Sequence, residues 1–134
     1  MITVDTSVVV AAFASWHEGH RSAAAVLART PRAPAHVLLE TFSVLTRLPP
    51  PHRAPSDVVT AFLARTFGRS PLTLPARAWP KLLALAGEVG ITGGAIYDAL
   101  VAATAHYANA TLLTRDRRAI AVYEKIGVTY ELVF

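Results

Sequence analysis

Ile2-Thr3-Val4-Asp5-Thr6-Ser7 runs directly into Val8-Val9-Val10-Ala11-Ala12-Phe13, and this opening decides the fold. Ile2-Thr3-Val4 is β-branched throughout, which suits a short strand. Asp5-Thr6-Ser7 then supplies short polar side chains, and Thr6 or Ser7 can cap the apolar run after it as a helix. The same arrangement returns late in the chain. Thr111-Leu112-Leu113 reads as a strand and leads through Thr114-Arg115 to Asp116, from which a helix is expected to Ile126, ended by Gly127. Between these two units the spacing predicts helices over Glu18–Arg29, Val37–Leu48, Ser56–Phe67 with Ser56 as cap, and Arg77–Val89. Pro80 is tolerated in the last of these because it lies in the first turn. Thr92-Gly93-Gly94 opens another helix through Tyr107, and strands are expected at Ala33–His36, Leu72–Leu74 and Thr129–Val133. Strands alternating with helices predict an α/β fold with a parallel sheet. Ligands of such sheets bind at the carboxyl ends of the strands.

The chain has 134 residues, 53% hydrophobic and 16% charged, which suits one domain over residues 1–134 with a real core. Disorder is excluded by that composition. There is no cysteine, which excludes disulfides, thiolate zinc sites and cysteine nucleophiles. The longest strictly apolar stretch, Val8 to Ala14, falls far short of the ~20 residues that span a bilayer. Met1-Ile2-Thr3-Val4-Asp5 does not resemble a signal peptide, so a cytoplasmic, membrane-free protein is expected. The 13 basic residues exceed the 9 acidic ones, and 11 of the 13 are arginine, whose forked geometry suits phosphate. Pro49-Pro50-Pro51-His52-Arg53-Ala54-Pro55 is a loop within the domain, too short to divide it.

The acids carry the functional signal. Asp5 and Asp116 follow predicted strands. Glu40 stands in Val37-Leu38-Leu39-Glu40-Thr41-Phe42, and Asp98 in Ala95-Ile96-Tyr97-Asp98-Ala99-Leu100-Val101. Taken singly, Asp5 and Asp116 also read as helix caps and Asp98 as a first-turn acid. Glu40 has no lysine or arginine at helical spacing before Arg47. A carboxylate on a buried face is costly unless something pairs with it. Together the four read as one site. Converging carboxylates repel, and a divalent cation between them makes their charge tolerable. Oxygen-only ligation selects Mg²⁺ or Mn²⁺. Such an ion activates water for attack on phosphorus, so acids inside and arginines outside suggest hydrolysis of a nucleic-acid phosphodiester.

These segments resemble the PIN-domain nucleases. Ile2-Thr3-Val4-Asp5-Thr6-Ser7 is similar to their opening, Glu40 to their helical acid, and Tyr97-Asp98-Ala99-Leu100-Val101-Ala102-Ala103-Thr104-Ala105 to their third motif. Leu112-Leu113-Thr114-Arg115-Asp116-Arg117-Arg118-Ala119 is similar to their late motif, so the resemblance covers essentially the whole chain. The compact size looks most like the VapC toxins of toxin–antitoxin pairs. The resemblance implies a three-layer α/β/α sandwich with a central, mainly parallel sheet. It implies metal-dependent endonucleolytic cleavage of RNA by Asp5, Glu40, Asp98 and Asp116. Asp5, Asp98 and Asp116 are then the most direct ligands of Mg²⁺ or Mn²⁺, with Glu40 acting partly through water. It also implies a small antitoxin partner and a homodimer. Thr6 and Thr114 flank two of the acids and are expected to orient a carboxylate or water behind them. Arg115, Arg117 and Arg118 are the candidate phosphate contacts.

His17-Glu18-Gly19-His20 is not a zinc-protease motif, because its histidines are three apart rather than four. Trp16 and Trp79 suit packing or base stacking. A phosphoacceptor receiver domain would carry paired acids after the first strand and a lysine after a late one. This chain has one acid there, and both lysines, Lys81 and Lys125, fall in predicted helices. A PIN fold without activity, serving as an RNA-binding or interaction module, is the other alternative, and the intact acidic set argues against it.

Overall fold

The computed structural model describes residues 1–134. Its elements, in chain order, are β1 (Ile2–Val4), α1 (Thr6–Phe13), α2 (His20–Leu27), α3 (Ala35–Thr46) and α4 (Ser56–Thr66). A 3₁₀ turn at Ala76–Ala78 then leads into α5 (Trp79–Val89), α6 (Ala95–Tyr107), β2 (Thr111–Thr114), α7 (Ile120–Ile126) and β3 (Tyr130–Leu132). The three strands form one sheet in the order β1-β2-β3, parallel throughout. Val4 pairs with Leu113, and Thr114 with Leu132. The register therefore brings Asp5 and Thr114 side by side at the carboxyl ends of β1 and β2.

Successive strand residues point to opposite faces. Leu112 and Leu113 are both buried, as are Thr3 and Val4, so β1 and β2 are covered on both sides. Helices α1 and α6 pack against β2, and the principal core joins Val4, Val8, Val9, Leu112, Leu113 and Tyr123. This is the helix-covered parallel architecture expected from the alternating pattern. No helix is long and apolar enough to cross a membrane.

Four local expectations are corrected. The strands expected at Ala33–His36 and Leu72–Leu74 shrink to one parallel bridge between Pro34 and Leu72. Pro34 has no N–H for a ladder and α3 begins at the next residue, so only Ala35 N–H to Leu72 C=O (2.8 Å) and Leu72 N–H to Ala33 C=O (2.9 Å) form. Helix α1 is capped by Asp5, whose carboxylate accepts the Ser7 N–H, and not by Thr6 or Ser7. Helix α4 is preceded by extended Pro55, and Ser56 is its first residue rather than its cap. Helix α7 starts at Ile120 and not at Asp116, because Asp116 opens a turn in which Oδ1 accepts the Arg118 N–H at 3.0 Å.

Candidate metal and nucleic-acid site

Four elements deliver the acids to one small cleft at the carboxyl end of the sheet. Asp5 comes from the β1–α1 junction, Glu40 from α3, Asp98 from the first turn of α6 and Asp116 from the turn after β2. All four line the cleft, together with Thr6, Ser7, Val101 and Tyr123.

Asp5 sits deepest, 5% exposed, and is held by the protein at both oxygens. Oδ1 accepts from the Ser7 N–H (3.0 Å) and the Ser7 hydroxyl. Oδ2 accepts from the Thr114 hydroxyl and from the Tyr123 phenol at 2.7 Å. These donors fill the roughly four lone-pair sites of an ionised carboxylate. Burial pushes the Asp5 carboxyl above its ordinary range, and the bonds from Ser7, Thr114 and Tyr123 pull the other way. The donors are themselves fixed. The Ser7 hydroxyl accepts from the Arg115 N–H at 2.8 Å, and the Thr114 hydroxyl from the Asp116 N–H at 3.0 Å. Tyr123 is 1% exposed, and burial with the Asp5 charge beside it raises its phenol, which keeps it a donor.

The other three acids are freer. Asp98 has no hydrogen-bond partner, and its carboxyl is pushed up to about 6, first by burial and then by the charges of Glu40, Asp116 and Asp5. Arg118 pulls it down. Asp116 Oδ1 faces the Arg118 N–H and, at 3.5 Å, its guanidinium Nε, leaving Oδ2 open. Glu40 Oε2 meets His36 Nε2 at 3.3 Å.

The donor chemistry fits a hard divalent cation: carboxylates and hydroxyls, with neither sulfur nor imidazole among the cleft-lining groups. The buried Thr6 hydroxyl lines the same cleft and has no partner, an orphaned oxygen where a ligand or its water would bond. As they stand, no three His, Asp or Glu side chains close on an ion. Like charges hold apart, and Asp5 has its lone pairs filled from within the protein. The donor types fit the ion, although the acids are not closed on one as they stand.

A wider groove continues from the cleft past His17 and Glu18, lined by Arg115 and Arg118 as well. Of the three arginines singled out in the sequence, Arg118 is the one aimed at the acids. Arg115 donates to the Val133 C=O at 3.0 Å and its guanidinium lies against Gly19, while Arg117 stacks over the Phe134 ring at 4.5 Å. Trp16 is half exposed and stacked on His52 at 4.0 Å, and Trp79 bonds the Leu74 C=O from α5. Thr114 orients Asp5 as expected. Thr6 bonds no carboxylate, which leaves its hydroxyl for a water, and Ser7 beside it bonds Asp5. Tyr123 and Ser7 were missed as site residues. Ser7 carried a signal, a hydroxyl two residues after Asp5; Tyr123 carried none. A separate pocket between α5, α6 and α7, lined by Leu74, Leu82, Leu85 and Tyr107, holds no acid.

The family model described as PIN domain matches residues 2–125. The chain is 51% identical over 133 residues to a protein of Mycobacterium tuberculosis named Ribonuclease VapC40, covering 99% of each. It is 43% identical over 129 residues to Ribonuclease VapC27 of the same organism, covering 95% of this chain and 93% of that one. Among solved structures, FitAcB from Neisseria gonorrhoeae superposes with a TM-score of 0.69 at 20% identity, covering 97% of this chain and 96% of that one. VapBC2 from Rickettsia felis, bound to a fragment of promoter DNA, gives 0.66 at 18% identity and covers 98% of each chain. At those identities the structures speak for the fold.

Proposed function

The chain belongs to the PIN-domain family, and from that premise we propose that it is a Mg²⁺- or Mn²⁺-dependent endoribonuclease of the VapC kind, the toxin of a toxin–antitoxin pair. Residues 1–134 form one catalytic domain acting on RNA in the cytoplasm. The observation that carries the reading is that Asp5, Glu40, Asp98 and Asp116 line one cleft although they come from four separate elements. Full-length identity of 51% to a ribonuclease supports the activity independently.

Asp98 and Asp116 would hold the cation, with Asp5 joining them once one of its present donors gives way and Glu40 acting partly through water. A cation there supplies Lewis-acid chemistry, activating water and offsetting charge that builds on the phosphate oxygens. The chain's own groups do the rest. Thr114, Ser7 and Tyr123 orient the Asp5 carboxylate in the cleft. Arg118 stands at the mouth with Nε 3.5 Å from Asp116, able to turn to an incoming phosphate. A small antitoxin that covers the acidic cleft, and a homodimer, complete the reading.

The test is cleavage of labelled structured and unstructured RNAs in Mn²⁺, in Mg²⁺ and in EDTA, beside Asp98→Asn. Metal-dependent cutting that disappears in the variant is expected. Absence of both cutting and a Mn²⁺-induced rise in Tm would overturn the enzymatic reading in favour of a binding module.

A further inference from the structure

Glu40 does not stand alone at the edge of the acidic cleft. His36, one turn before it on α3, meets its carboxylate at 3.3 Å. The His36 imidazole lies parallel to the Tyr97 ring of α6, at 4° between planes and 5.3 Å between centroids. His36 is the most covered of the three, its side chain 23% exposed against 37% for Glu40, while Tyr97 is 54% exposed. The inner ring is thus anchored to a site acid, and the outer ring is backed on one side and open to solvent. Tyr97 directly precedes Asp98 in the first turn of α6. A large aromatic residue held this way beside a phosphodiester site is a ready surface for a flat ring.

We propose that Tyr97, backed by His36, is a stacking platform for an unpaired nucleobase of the RNA bound at the acidic cleft. The proposal rests on the ribonuclease reading and adds a substrate-binding residue and a preference to it. A base in a duplex has both faces occupied by its neighbours, so only an unstacked base offers a face to Tyr97. Stacking of one base on an aromatic side chain changes affinity by about tenfold or more when the ring is removed. It tolerates different bases, since each has a π-face. The platform therefore favours single-stranded segments without itself setting a sequence.

The experiment measures binding by fluorescence anisotropy in EDTA, so that nothing is cut. The probes are a mixed-sequence single-stranded RNA oligonucleotide and the same strand annealed to its complement. Proteins compared are the wild type, Tyr97→Phe, which keeps the ring, and Tyr97→Ala, which removes it. Mn²⁺ affinity of each is read by calorimetry. Tyr97→Ala is expected to weaken single-strand binding by about tenfold, with Tyr97→Phe within about twofold of wild type. Duplex binding and Mn²⁺ affinity stay unchanged in both. Wild-type affinity in Tyr97→Ala overturns the platform, and so does an equal loss toward duplex. A loss of Mn²⁺ affinity with RNA binding intact also overturns it, making Tyr97 a support for His36 and Glu40. The two readings fail separately. If the wild type cuts RNA in Mn²⁺ and Tyr97→Ala binds normally, the platform alone is wrong; if the wild type neither binds nor cuts RNA, the ribonuclease reading is wrong and the platform falls with it.

Discussion

The Tyr123 phenol donates a hydrogen bond to Asp5 Oδ2 at 2.7 Å, joining α7 to the end of β1 across 118 positions of chain. Both residues are buried, so the bond works without competition from water. Tyr123→Phe removes the donor and little volume. Losing a bond to a buried carboxylate costs about 1–3 kcal/mol. Tyr123→Phe is therefore expected to unfold at lower urea concentration with an unchanged m-value, and to bind Mn²⁺ differently from wild type because Asp5 is less firmly oriented. A variant identical to wild type in both respects would show that Thr114 and Ser7 suffice to hold Asp5.

Asp98→Asn should separate activity from stability most cleanly. Asp98 makes no hydrogen bond, and three neighbouring acids press on it. Neutralising it relieves that pressure, so the metal-free variant is expected to be as stable as wild type or more so by roughly 0.5 kcal/mol. Cleavage should fall at least about 100-fold. Asp5→Asn should not behave this way. Its amide would present hydrogens to Thr114 and Tyr123, which are already donors, so the fold itself should suffer. Urea titrations of the two variants in EDTA rank them, and a more stable Asp5→Asn would contradict this account.

What the sequence revealed and what it hid divide along the range of the interaction. Strands β1 and β2 and the four acids were legible because each signal is local: a β-branched run, then a carboxylate in apolar company. Thr6 and Ser7 are adjacent hydroxyls in one turn. Which one meets Asp5 depends on how α1 is rotated against β2, and that is a packing outcome. Tyr123 looks like any helical tyrosine until the fold sets it beside Asp5. The targets of Arg115 and Arg117 lie at the chain's end, in the Val133 C=O and the Phe134 ring, and no spacing rule points there. The bridge at Pro34 looks like a strand in the sequence because apolar residues around proline satisfy a strand pattern without offering its donors.

Metal-free stability should fall as pH rises. Asp98 titrates at about 6 in the folded protein instead of 3.8, and Asp5 is shifted in the same direction. Between those values the folded state holds more protons than the unfolded state, so unfolding free energy decreases with rising pH across that window and stays low above it. Mn²⁺ should reverse the trend, since deprotonated acids bind it better. The check is Tm in EDTA at pH 5 and pH 7, repeated with Mn²⁺. Asp98→Asn should flatten the EDTA slope, and a metal-free Tm that climbs with pH in the wild type contradicts the assignment.

Gly19→Ala should displace the Arg115 side chain, for a reason unrelated to backbone freedom. Its φ of −90° is open to any residue. A Cβ there would overlap the Arg115 guanidinium, so that side chain must leave its place. Leaving breaks its bond to the Val133 C=O, at a cost on the order of 1 kcal/mol. Gly19→Ala and Arg115→Ala should therefore destabilise by similar amounts, and the double variant should be no worse than either single one. Urea denaturation of the three closes that cycle. Strict additivity would mean that Gly19 and Arg115 act separately. The RNA affinity of Gly19→Ala gives a second reading, because an Arg115 released from Val133 is free to reach phosphate along the groove. Tighter RNA binding in a less stable protein is the expected signature.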